Sequence, residues 1–180
     1  MAAPLPPPVR AGLRLAAISP ALGPAAAIPG AGCRFVEPAW KAVLSNKGLL
    51  PILWRMFEGH ENLLPAFFED ELAVSSPRLE RARAALEAGH VLKPVFGREG
   101  ASVIIVEGGR ETDRSVSGGY DDHPRVAQAY APLPVFDDMR PVIGAWIVGE
   151  ACVGMGLRED RGRITQDLSR FKPHVILPEG

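Results

Sequence analysis

Between Glu37 and Phe57 apolar residues recur at helical spacing: Trp40, Val43 and Leu44, then Leu50, Leu53, Trp54 and Phe57. The stretch predicts one or two helices. Pro51 either kinks the first or opens the second, because proline lacks the interior N–H but fits a first turn. Residues 60–68 (HENLLPAFF) read as a loop with apolar anchors. Ser76-Pro77 then supplies an N-cap with proline at the first helical position, and the helix RLERARAALEA stops at Gly89. Beyond Gly89 the period shortens to two. Residues 91–96 (VLKPVF), 102–107 (SVIIVE) and 126–131 (VAQAYA) read as strands. Residues 141–149 and 151–160 read as a hairpin turning near Gly149-Glu150. Helices followed by mostly antiparallel strands predict an α+β fold.

Residues 1–34 have a different texture. The first 32 hold seven of the 18 prolines, ten alanines, four glycines, two arginines and no acid. The first carboxylate is Glu37. No periodic apolar face is possible there, so this leader is expected to be disordered, with one domain over 35–180. A transit peptide would carry more Arg and Ser, and Pro4 to Pro8 spoil a secretory signal. The third origin is a mis-assigned start, in which GC-rich DNA encodes Ala, Pro, Gly and Arg under little selection.

Charge narrows the function. Lys plus Arg is 20 and Asp plus Glu is 21, a net charge of −1. That argues against a polybasic nucleic-acid binder and an acidic solvating chain. No apolar run approaches the ~18 residues of a membrane span. Two cysteines, Cys33 and Cys152, cannot build a disulfide framework or a four-thiolate zinc site, so a reducing, cytoplasmic home is expected.

Three places could carry chemistry. The loop GREG (97–100) lies between two strands, just after Lys93-Pro94. Its glycines let the backbone approach a ligand and turn N–H groups toward phosphate, with Lys93 and Arg98 adding charge. The plain alternative is a hairpin turn. Lys47 in SNKG either reaches phosphates from a helix end or snorkels to the surface. Arg158 follows two glycines on a strand and shares a face with Asp160. It either pairs with that acid or grips phosphate bidentately. Asp121, Asp122 and His123 read as a turn rather than a metal site, and Asp137-Asp138 as a loop tip. Cys152 reads as a buried strand thiol without a base.

Five blocks in order add a resemblance: EPAWKAVLSNKGLLPILWRMF, HENLLPAFF, KPVFGREGASV, APLPVFDDMRPVIGAWIVGEACVGMGLRED and SRFKPH. Over about residues 35–174 the chain resembles the C-terminal half of the glutathionylspermidine synthase family, whose catalytic domain is an ATP-grasp fold. The resemblance implies a partial ATP-grasp fold and an ATP- and Mg2+-dependent ligase. In that chemistry a carboxylate becomes an acyl phosphate, and an amine attacks it to give an amide, ADP and phosphate. The family's namesake joins the glycine end of glutathione to spermidine; the acid and amine do not transfer to every relative.

Position by position, Lys47 matches the family's NK lysine and Lys93 its second nucleotide-contacting lysine. Glu99 and Gly100 match the end of the loop over the phosphates. Gln128, Ala129, Tyr130 and Ala131 match the hinge beside adenine, where backbone groups read the base. Arg158 matches the LR arginine near the phosphates, the catalytic candidate. Ala129 departs from the Gln-Glu of many relatives. The family's magnesium-binding acids lie in the other half of its domain, and the leader here has no acid, so no metal ligand is assigned. The expectation is a truncated member that contributes the nucleotide-binding part. Its implied partners are ATP, a small carboxylate and an amine, with the missing N-terminal half or a second copy covering Trp40, Trp54 and Trp146. The alternative is a non-catalytic remnant that binds nucleotide weakly or serves as an interaction module.

Overall fold

A computed structural model of the chain describes residues 43–175 and residue 177. The leader, Trp40 and the start of the first helical pattern lie outside the described residues. The first α-helix among the described residues, α1, is Leu49–Met56, with Pro51 in its first turn. Pro51 therefore opens a helix instead of kinking one. This helix buries Pro51 and Trp54. A short strand β1 (Ala66–Phe68) and a 3-10 turn (Glu69–Ala73) follow. Helix α2 (Pro77–Ala88) begins as its sequence predicts: the Ser76 hydroxyl accepts from the Leu79 N–H at 3.2 Å.

Five strands form the main sheet in the order β1-β5-β2-β3-β4, with every neighbouring pair antiparallel. The others are β2 (His90–Pro94), β3 (Ile104–Glu107), β4 (Arg110–Arg114) and β5 (Arg125–Ala129). A second sheet holds β6 (Arg140–Val148), β7 (Ala151–Asp160) and β8 (Arg170–Lys172), in that order. The fold is α+β, as the sequence predicts.

The main sheet has two unlike faces. Trp54 of α1 and Leu79, Ala82 and Leu86 of α2 pack with Phe67 and Ala129 in one core. Val103, Ile105 and Ile164 form a second core, with Val91 and Tyr130 against it. Val91 pairs with both Ile105 and Gln128, so these three share a face. Lys93, two residues along β2, shares it too. The face turned away from the helices thus carries Lys93 and Gln128.

Several elements differ from the sequence reading. Residues 66–68, read as loop, form β1 because their backbone pairs with β5. The polar segment RETDR forms β4, an edge strand without apolar alternation. The two-residue turn Gly108-Gly109 holds it against β3, with φ of 57° and 73° suiting a primed hairpin turn. The strand read at 126–131 ends at Ala129. The β6–β7 hairpin turns at Gly149-Glu150 as predicted. Its Cys152 is exposed, not buried, because nothing described covers the hairpin end. Trp146 is 69% exposed beside Ile143, Ile147, Val148 and Val153. No helix among the described residues is long and apolar enough to cross a membrane.

Candidate functional site

Lys47 precedes α1 and is tied to the end of β2 by its own backbone, its N–H donating to the Val95 carbonyl at 2.8 Å. Its ammonium Nζ donates to the Gly97 carbonyl at 2.8 Å, at the start of the Gly-rich loop. Lys93 reaches across to β5, where Nζ donates to Gln128 Oε1 at 2.8 Å. Strand register explains this contact: Lys93 sits opposite Val126 and diagonal to Gln128 on one face. Both lysines are partly buried. Burial pushes the Lys47 ammonium below its ordinary pKa. It does the same to Lys93, and the nearby Lys47 charge pushes Lys93 further. Neither lysine has a carboxylate partner among the described residues. Two neighbouring, partly buried ammonium groups favour an anion beside them.

The loop at 97–100 leaves β2 with left-handed backbone at Glu99 (φ 54°) and Gly100 (φ 70°). At Gly100 only glycine fits. A Cβ there would stand 2.2 Å from the Thr165 carbonyl oxygen. The loop therefore lies directly against the connection between β7 and β8. Arg98 points outward, with its guanidinium 3.8 Å from Glu99. A cleft of about 580 Å3 runs along the loop, lined among others by Arg98, Glu99, Tyr120, Asp160 and Gln166.

The segment 128–131 lies at the other end of Lys93. Beyond the ladder bonds of β5, two of its N–H groups are taken: Ala129 donates to the Pro65 carbonyl at 2.8 Å and Tyr130 to the Gly89 carbonyl at 2.9 Å. Ala131 is exposed, and its N–H has no partner among the described residues. Any backbone readout by this segment falls to Ala131 and the neighbouring carbonyls. A second cleft of about 390 Å3 opens beside it, between Gly89, Glu107, Tyr130, Leu133, Arg140 and Arg163.

Arg163 is a residue that motif reading passed over. Its guanidinium carbon lies 4.9 Å from the Tyr130 ring centroid, and Nη2 is 2.8 Å from the Glu107 carboxylate. The Thr112 hydroxyl and then Arg163 hold Glu107 below the usual carboxylate range. The available signal was a basic residue between Gly162 and the buried Ile164, in a loop following the Arg158 strand.

Arg158 makes none of these contacts. It sits on β7, paired with Val142 and Phe171, with its guanidinium 6.0 Å from the Phe171 ring centroid. It makes no ion pair with Asp160 among the described residues. Asp160 instead accepts from Ser169 and from the Gly162 N–H, and the Ser169 hydroxyl above all lowers its pKa. Lys47, Lys93, the loop and Gln128 are thus brought together, while Arg158 stands on the second sheet. Asp121 accepts from Ser117, and His123 packs against Phe96 and Tyr120, as a turn would. Among the described residues no three or more His, Cys, Asp or Glu side chains are grouped to hold a metal ion.

Comparison with known proteins follows the same lines. A family model described as glutathionylspermidine synthase preATP-grasp matches residues 19–177. A Haemophilus influenzae protein carrying the name acid–amine ligase is 40% identical over 157 residues, covering 84% of this chain and 37% of that protein. The trypanothione synthetase of Crithidia fasciculata is 32% identical over 133 residues, 73% of this chain and 18% of its own length. The bifunctional glutathionylspermidine synthetase/amidase of Escherichia coli is 28% identical over 143 residues, 78% of this chain and 21% of its own length. The chain thus spans well under half of each of these relatives.

Proposed function

This chain belongs to the glutathionylspermidine synthase family, and from that premise we propose that it grips the nucleotide in an ATP-dependent carboxylate–amine ligase. One observation carries the reading. Lys47 and Lys93 are partly buried, lie near enough for the charge of one to act on the other, and have no carboxylate partner among the described residues, one being bonded to the Gly-rich loop and the other to Gln128. ATP, when bound, supplies the phosphoryl group that activates a carboxylate.

The chain's own residues then have separate tasks. The two ammonium groups neutralise phosphate oxygens, and ATP supplies the counter-charge that their burial otherwise denies them. Residues 97–100 supply backbone around the phosphates, with Glu99 and Gly100 turning the loop back. Gln128 holds Lys93 in place. Ala129, Tyr130 and Ala131 border the base, chiefly through the Ala131 backbone. Arg158 is the candidate for contact with the reacting phosphoryl group. No residue of this chain is assigned to magnesium, and no step is routed through the metal. The acid and amine are small molecules of unassigned identity.

A thermal melt of the chain with and without Mg-ATP tests this. A ligand that binds only the folded state at about 100 times its Kd adds about 2.7 kcal/mol. An upward shift in Tm that disappears in Lys93→Ala is expected. A cooperative melt without a shift would favour a non-catalytic interaction module, the reading to which the exposed Trp146 hairpin gives its support.

A further inference from the structure

Arg163 reaches from one loop to β3, to β4 and to the residue that follows β5. Nε donates to the Tyr130 hydroxyl at 3.1 Å, Nη1 to Thr112 Oγ1 at 3.2 Å, and Nη2 lies 2.8 Å from Glu107. Thr112 Oγ1 in turn donates to Glu107 at 2.6 Å. Tyr130 is held at both ends, since its N–H donates to Gly89. The approach at Gly89 is close: a Cβ there would meet Glu107 Cγ and Tyr130 Cβ at 3.3 Å. The next two residues continue the tie. Ile164 enters the second core, and the Thr165 carbonyl abuts Gly100. Residues 163–165 thus bind the hinge to the Gly-rich loop, across the sheet face that holds Lys93.

We propose that Arg163 is a positioning residue that sets base selectivity, by fixing Tyr130 and with it the free backbone of Ala131. The proposal rests on the nucleotide reading above. Ammonium groups on a triphosphate carry no information about the base. A 6-amino and a 6-oxo purine are told apart only by a donor and acceptor held still, because a hydrogen bond weakens steeply once its geometry drifts. The planar fork of arginine can hold a phenol, a hydroxyl and a carboxylate at once; a lysine cannot.

The test is calorimetric titration of the full 180-residue chain with Mg-ATP and Mg-GTP. In the unsubstituted chain ATP is expected to bind more tightly than GTP. Arg163→Ala is expected to lose about tenfold in ATP affinity, the size of a lost charge-assisted contact, with GTP affinity within about twofold. Arg163→Lys is expected to behave like the alanine variant, and it decides the matter if Arg163→Ala fails to fold. Lys93→Ala is expected to weaken both nucleotides alike. Equal losses for ATP and GTP in the Arg163 variants, or none, overturn the proposal and leave the nucleotide site standing. An unsubstituted chain without preference does the same. An unsubstituted chain that binds neither nucleotide overturns the nucleotide reading and this proposal with it.

Discussion

The main sheet and the β6–β7 hairpin are built from similarly apolar sequence and end in opposite states. In the main sheet, Val126 and Ala127 have no solvent exposure, Phe67 is 2% exposed, and two helices seal one face. In the hairpin, Trp146, Val148 and Ile143 are 69%, 65% and 64% exposed. Between Arg140 and Arg158 the hairpin carries one charged side chain, Glu150. Strand pairing satisfies its backbone but leaves both faces apolar, and a lone hairpin is marginal in water. Apolar pattern thus foretells a strand but not what will cover it. The lysine pair sits in the region that is already packed, so its geometry does not depend on cover for the hairpin.

Substitutions can break this contrast, beginning with the core. Phe67→Ala should cost about 4 kcal/mol in denaturant unfolding, and Trp146→Ala well under 1 kcal/mol. Equal costs would mean the hairpin is buried in solution. Where association is measured instead, Trp146→Thr should lower the apparent mass in light scattering, because an apolar patch of this kind favours self-association. Unchanged monodispersity in both proteins would count against it. Gly100→Ala should cost about 2 kcal/mol, from the left-handed backbone and the clash with Thr165, and should reduce the Mg-ATP shift as the loop moves.

The lysines sharpen the comparison through pH. A lysine whose folded pKa is lowered binds fewer protons folded than unfolded. Stability therefore rises as pH climbs from the lowered Lys93 value toward the ordinary 10.5. Lys93→Met should flatten that rise. It should also stabilise the ligand-free chain by about 1 kcal/mol, since an unpaired partly buried charge is removed. Melts across alkaline pH would read both effects, and an unchanged slope would mean that Lys93 is solvated. Ser76→Ala should cost about 1 kcal/mol for the cap of α2, with nucleotide binding untouched.

How much of this was legible depended on where the signal lay. The cap at Ser76, the strands around Val91, Ile105 and Val126, and the turn at Gly149 were local features and could be read directly. The edge strands were not legible. RETDR and the three residues of β1 have no periodicity, and they are strands only because a neighbour supplies their hydrogen bonds. Within the site, Lys47, Lys93 and Gln128 could be picked out one at a time through family resemblance. That Lys93 bonds to Gln128, and Lys47 to the loop, follows from register, which one sequence does not reveal. Arg163 was invisible because its partners lie 33, 51 and 56 residues away. The exposure of Cys152 and Trp146 was hidden for the converse reason: strand character says nothing about cover.

The central claim is that Lys47 and Lys93 form one triphosphate grip. The most direct measurement is Mg-ATP affinity by calorimetry in the unsubstituted chain, Lys47→Ala, Lys93→Ala and the double variant. Each single substitution is expected to weaken binding about tenfold or more, and the double variant by less than the product, because groups sharing one ligand couple. Measurable binding left unchanged by all three variants would contradict the claim.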